Sequence, residues 1–156
     1  MIGRRRTDER GIALAIAIFA LVVIGALVAA NFFVGRLEQQ SGQYSLFARQ
    51  AAEGAESGLV EAVALLPAST LAAMPLGGPP LDLGTSVLNP SVRVERQVAR
   101  LTGTLFFVRV RSTRQDAAGS PLAASALGAL LRLVSDTPGG PPRIVPLSRR
   151  GWVQLY

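Results

Sequence analysis

From Ile12 to Val34 the chain carries no charged side chain, and 14 of these 23 residues are Leu, Ile, Val or Phe. As a helix the segment would be about 34 Å long, enough to cross a hydrocarbon core of about 30 Å with some tilt. Those 14 side chains favour insertion by roughly 4–8 kcal/mol on a membrane-insertion scale. Asn31 lies near the outer end, where an amide costs little. Polar Arg36, Glu38, Gln39 and Gln40 then mark emergence into water. Beyond them Tyr44, Phe47, Ala48, Ala51, Ala55, Leu59, Val63 and Leu66 recur every three or four residues, which predicts an amphipathic helix with one buried face. Nothing breaks the helix before Pro67. Unbroken from Ile12 to Leu66 it has 55 residues and would span roughly 82 Å. Arg49 and Glu53 stand one turn apart and are expected to pair on its exposed side.

Five glycines interrupt this helix, each costing about 1 kcal/mol relative to alanine. Gly54 and Gly58, set among alanines, read as positions where another helix packs closely in a bundle, as do Gly25 and Ile16 within the apolar segment. Gly35 and Gly42 read as points of flexibility.

After Leu66 the period changes. Pro67 to Pro90 holds Pro75, Gly77-Gly78-Pro79-Pro80 and Asn89-Pro90 and predicts a linker. Val92, Val94 and Val98 then alternate with Arg93, Glu95 and Gln97, and Phe106, Val108 and Val110 with Phe107, Arg109 and Arg111. Two antiparallel strands follow from this, joined by a turn over Leu101-Thr102-Gly103-Thr104. Arg109 and Arg111 share one strand face, which reads either as solvated surface or as a patch for an anionic partner. Pro121 to Val134 is ambiguous. Ser120-Pro121 suits a helix start, with Leu122, Ala126, Leu127, Leu130 and Leu131 in helical phase, whereas Leu127, Ala129, Leu131 and Leu133 also alternate. Pro138 to Pro142 is a loop. Arg149-Arg150-Gly151 leads to a last strand, Trp152 to Tyr156, whose aromatics are expected to pack. Leu59, Val63, Phe106, Val108 and Trp152 are the expected core of a fold of class α+β.

Composition narrows the function. The chain has no His, no Cys and no Lys, and all 16 basic residues are Arg. This removes thiol and imidazole nucleophiles, zinc sites, Schiff-base lysines and the lysine of a phosphate-binding loop. No G-x-S-x-G is present to carry serine chemistry. An enzyme is not expected, nor a metal or cofactor. Net charge is +6, of which residues 1–11 supply +2. Such a balance could touch nucleic acid or anionic surfaces, but an arginine-only repertoire also reflects codon usage, and solvated surface is the preferred reading.

The junction before the apolar segment carries the clearest message. Arg4, Arg5, Arg6, Thr7, Asp8, Glu9 and Arg10 precede Gly11, and the apolar run starts at Ile12. A secretory signal places its small-residue cleavage site after the apolar stretch; here the small residue precedes it. The arginines put the N-terminus in the cytoplasm by the positive-inside rule. This order resembles the type III signal of type IV pilin-like proteins, which a prepilin peptidase cuts after a glycine on the cytoplasmic side. The stretch Gln50 to Ala62, QAAEGAESGLVEA, together with the Arg10-Gly11-Ile12 start, is similar to the N-terminal region of PilX-type minor pilins and pseudopilins of type II secretion. The similarity covers Arg10 to Leu66, roughly a third of the chain.

The resemblance implies a leader of residues 1–11 removed at Gly11, methylation, and a long helix on a small antiparallel sheet meander, so that Ala126–Val134 is expected as a strand. It also implies assembly into a pilus or pseudopilus from the inner membrane, with the domain in the periplasm. The partners it implies are the prepilin peptidase, other pilins or pseudopilins, the inner-membrane assembly platform and the lipid bilayer. Most major pilins have Glu as the fifth mature residue; here that residue is Ile16, which argues for a minor subunit. Two competitors use the same residues. Val28-Ala29-Ala30 could serve an ordinary signal peptidase. Alternatively the segment is a plain anchor for a periplasmic binding module whose Arg109 and Arg111 face takes an acidic ligand or DNA.

Overall fold

The computed structural model describes residues 5–89, 91–137, 140–147 and 152–155, the side chains of 5–10 and 152–155 excepted. Its elements are α1 (Arg5–Leu65), α2 (Ala68–Ala73), β1 (Leu81–Asn89), β2 (Val92–Arg100), β3 (Leu105–Gln115), β4 (Pro121–Ser135), β5 (Pro142–Pro146) and β6 (Trp152–Leu155). The class is α+β, with a long apolar N-terminal helix and an antiparallel sheet. The chain divides into two compact units, Met1–Gln43 and Tyr44–Tyr156.

In the first unit α1 stands without tertiary cover. Every described side chain from Gly11 to Gln43 is exposed. By length and composition this helix can cross a membrane.

In the second unit the sheet runs β1-β2-β3-β4, all neighbours antiparallel, and the far edge of β4 is shared. Strand β5 pairs with its Leu131–Ser135 end, and β6 with Ala126–Ala129. One face of this sheet packs on α1. The helix buries Ala51, Gly54, Ala55, Gly58, Leu59, Ala62 and then Leu66 just beyond its end. Tyr44 and Ala48, expected on the buried face, are exposed; Gly54 and Gly58 take part in that face instead. Opposite them lie Val92, Val94 and Val98 of β2, Phe106, Val108 and Val110 of β3, and Ala129 and Leu131 of β4. Val63 packs at the margin of this core, and each fully buried Leu, Val or Phe contributes about 1.5–3 kcal/mol. Trp152, placed in the core by expectation, has its side chain outside the described residues.

Pro67 ends α1, as expected. The stretch between Pro67 and Pro90 is more than a linker. It holds α2, which buries Leu71, with Met74 buried at its end, and the whole of β1. Gly84 takes a positive φ of 92° at a register shift in β1, where the Asp82 carboxylate accepts its N–H at 2.8 Å.

The ambiguous Pro121–Val134 stretch is a strand, and a longer one than Ala126–Val134. A tight turn decides it. Asp116 Oδ1 accepts the N–H groups of Ala118 and Ser120, at 2.9 and 2.8 Å, and Gly119 has φ 83°. That closes a hairpin in which Pro121 lies opposite Gln115. Ser120 therefore belongs to a turn, and the alternation of Leu127, Ala129, Leu131 and Leu133 prevails over helical phase because β3 supplies a partner.

Candidate functional site

The sheet presents two unlike faces, and arginines stand on both. Inward-facing side chains alternate along β2 as Val92, Val94, Arg96, Val98 and Arg100. Arg96 is a cation within the core phase of the strand, its side chain only 8% exposed. Its Nη2 donates to Glu61 Oε2 of α1 at 2.8 Å and to Ser86 Oγ of β1. One guanidinium thus ties helix, edge strand and second strand together. Arg96 Nε and the buried Ser112 Oγ have no hydrogen-bond partner among the described residues.

Two further arginines close the ends of this interface. Arg114 donates through Nε to Gln50 Oε1 of α1 at 2.8 Å and lies 5.4 Å from the centroid of the Phe47 ring. Arg100 donates to the carbonyls of Met74, Thr102 and Gly103 and lies 5.5 Å from the Phe106 ring centroid. All three fasten the fold and are spent on it. The expected Arg49–Glu53 pair does not form among the described residues.

Gly54 and Gly58 mark the closest approach of helix and sheet. A Cβ on Gly54 would meet Val92 Cγ1 at 2.8 Å and press closer still on Ser112 Oγ; one on Gly58 would meet Val110 Cγ1 at 3.0 Å and run into Val94. Their packing partner is the chain's own sheet rather than the second helix expected, because the β2 and β3 valines fill the space the glycines leave. Gly25 differs, since a Cβ there would meet nothing within 4 Å. Ile16 is exposed in the same apolar segment. Gly11 and Ile12 are exposed on α1, while the side chain of Arg10 lies outside the described residues.

The outward face is chemically different. Arg109 and Arg111 are exposed there on β3, as the alternation predicts. Cross-strand pairing places Gln97 and Gly128 beside Arg109, and Glu95 and Ala126 beside Arg111. Glu95 is engaged by Arg93 at 3.2 Å. Sequence reasoning missed one member of this face and the placement of another's ring. Arg132 reaches it because β4 is a strand in register with β3, opposite Leu105. Phe107 leans across to β4, so that a Cβ on Gly128 would run into its Cζ and lie 2.6 Å from its Cε2. The sequence signal was the spacing Phe107, Arg109, Arg111, read only for its arginines.

Arg109, Arg111 and Arg132 make no ion pair or hydrogen bond with other described side chains. Among the described residues no group of three or more His, Cys, Asp or Glu could hold a metal ion. Guanidinium groups on a sheet face can bind anions and position them, because each carries a delocalised positive charge and offers a planar fork of donors.

No protein-family model matches this sequence, and no curated protein or solved structure matches it either.

Proposed function

We propose that this chain is a minor pilin or pseudopilin, a membrane-stored subunit that primes, caps or joins a type IV pilus or a type II secretion pseudopilus. The observation that carries the reading is one helix with two environments. Its apolar part follows Gly11 directly and is uncovered throughout, and its amphipathic part is seated on an antiparallel sheet. A subunit of that kind can exchange lipid for a bundle of similar helices, with the assembly platform supplying the work.

Ile16 supports a minor rather than a bulk role. A carboxylate at that position could neutralise the amine created by cleavage on a neighbouring subunit; an isoleucine cannot, and it avoids the cost of an unpaired charge in an apolar bundle. Subunits of this chain would therefore enter sparsely or at an end, beside partners that carry the acid.

Co-expression with a prepilin peptidase tests the reading. The mature N-terminus should be Ile12, and Gly11→Glu should leave the precursor uncut. An unchanged N-terminus beside an active peptidase, or a new one at Asn31, overturns it. The outward arginine face favours a second reading, that of a single-pass anchored binding module, and an uncut Gly11 would turn attention to it.

A further inference from the structure

The outward face of β2, β3 and β4 combines three features that a merely solvated surface does not require. First, Arg109, Arg111 and Arg132 are exposed and unengaged among the described residues, whereas the acidic residues of the sheet and its turns are occupied. Glu95 pairs with Arg93, Asp136 with Arg143, and Asp82 and Asp116 accept backbone N–H groups. The face therefore offers uncompensated positive charge. Second, the β4 neighbours of Arg109 and Arg111 are small, Gly128 and Ala126, while Phe107 and Leu130 stand between that pair and Arg132. Third, Gly128 gives the Phe107 ring room to lie down over β4, and the ring is only half-buried.

Phe107, Arg109 and Arg111 follow one another at two-residue spacing on one strand face, about 7 Å apart. An aromatic ring laid on a sheet beside a row of cations suits a polymer that is anionic along its backbone and carries flat rings. An acidic peptide would use the cations and leave the ring idle. A lipid headgroup would need neither the ring nor an extended row.

We propose that this face binds single-stranded nucleic acid, with Arg109 and Arg111 on adjacent phosphates, Arg132 on another beyond the ring, and Phe107 stacked on a base. The proposal rests on the sheet alone and is independent of cleavage at Gly11, so that either can fail without the other.

The test uses the full chain in a neutral detergent and fluorescence anisotropy of a labelled 20-nucleotide single-stranded DNA of mixed sequence. Binding should weaken with salt, with a log–log slope near −2 for about three phosphate contacts at about −0.7 each. Arg109→Ala with Arg111→Ala should weaken it at least tenfold, with an unchanged circular dichroism spectrum because both side chains are exposed. Phe107→Leu should weaken DNA binding severalfold while leaving the weaker binding of poly-glutamate unchanged. Equal loss for both polymers would remove the stacking role and overturn the assignment to nucleic acid. So would a higher affinity for anionic lipid vesicles or for poly-glutamate than for DNA, or an affinity that the double arginine variant leaves intact.

Discussion

Leu21 and Leu59 lie on one helix and have opposite fates. Leu21 is 68% exposed, and Leu59 is fully buried against the sheet. The same contrast separates Gly25, with open space around it, from Gly58, which touches two valines. Residues 12–34 are apolar on all sides, so no direction around the axis is special, and only an apolar surrounding can satisfy them. Residues 44–65 are apolar on one side, and that asymmetry is what lets a sheet recognise them. Helix propensity does not distinguish the two stretches. What distinguishes them is whether the apolar positions choose a side.

The comparison can be broken most forcefully with paired alanines. Leu59→Ala should cost the sheet-bearing unit about 2–5 kcal/mol, the range for emptying a buried leucine site. Leu21→Ala should leave the unfolding of that unit unchanged. Chemical denaturation of the detergent-solubilised full chain, followed by circular dichroism at β-sheet wavelengths, reads both. Equal effects would mean that the two stretches do not differ as described.

A smaller effect should come from the ion pair that fastens the amphipathic stretch. Glu61→Ala leaves Arg96 without its helix partner in a largely buried place. Breaking a fully buried pair costs about 3–5 kcal/mol, but the Glu61 side chain is 41% exposed. Solvent screening lowers the expectation to about 1–3 kcal/mol. Arg96→Met combined with Glu61→Leu should recover most of that loss, since an apolar pair of similar size carries no desolvation penalty. A double variant less stable than Glu61→Ala alone would show that the Ser86 contact, rather than the ion pair, carries the joint.

The smallest difference sharpens the contrast between the glycines. Gly25→Ala should be neutral or stabilise its helix by up to about 1 kcal/mol through helix propensity. Gly58→Ala gains the same propensity and meets Val94 and Val110, where overpacking costs about 1–3 kcal/mol. A net loss of about 1 kcal/mol is expected at Gly58, measurable in the same denaturation series. A gain at both positions would mean that the valines yield freely.

Much of this was legible in the sequence, and the misses share a physical origin. The alternation of Val92, Val94 and Val98 and of Phe106, Val108 and Val110 exposes β2 and β3 directly, because both have one buried and one wet face. The buried helical face was legible for Ala51, Ala55 and Leu59, while Tyr44 and Ala48 fit its period and lie beyond the reach of the sheet. Strand β1 stayed hidden, since Gly77-Gly78-Pro79-Pro80 before it and Asn89-Pro90 at its end read as breakers and its side chains are mostly exposed. Arg96 was passed over because a cation in the core phase looks like a gap in the pattern; only Glu61, 35 residues away, makes sense of it. The face bearing Arg109 and Arg111 could be derived from one strand. Adding Arg132 needed the β3–β4 register, which no local spacing encodes.

The seat formed by Gly54 and Gly58 has a mechanical consequence. Val92, Val94 and Val110 fill the hollows that the two glycines leave, so the helix cannot slide along the sheet. Moving it by one turn, about 5.4 Å, would set one glycine in the other's hollow and carry Gln50 or Ala62 onto the remaining valines. The joint therefore acts as a detent. A pull along Tyr44–Leu65 passes into β2 and β3 as shear across hydrogen-bonded strands, the loading direction in which many bonds must fail together. In the pilus-subunit role proposed above, such a joint would keep the sheet in step with the helix.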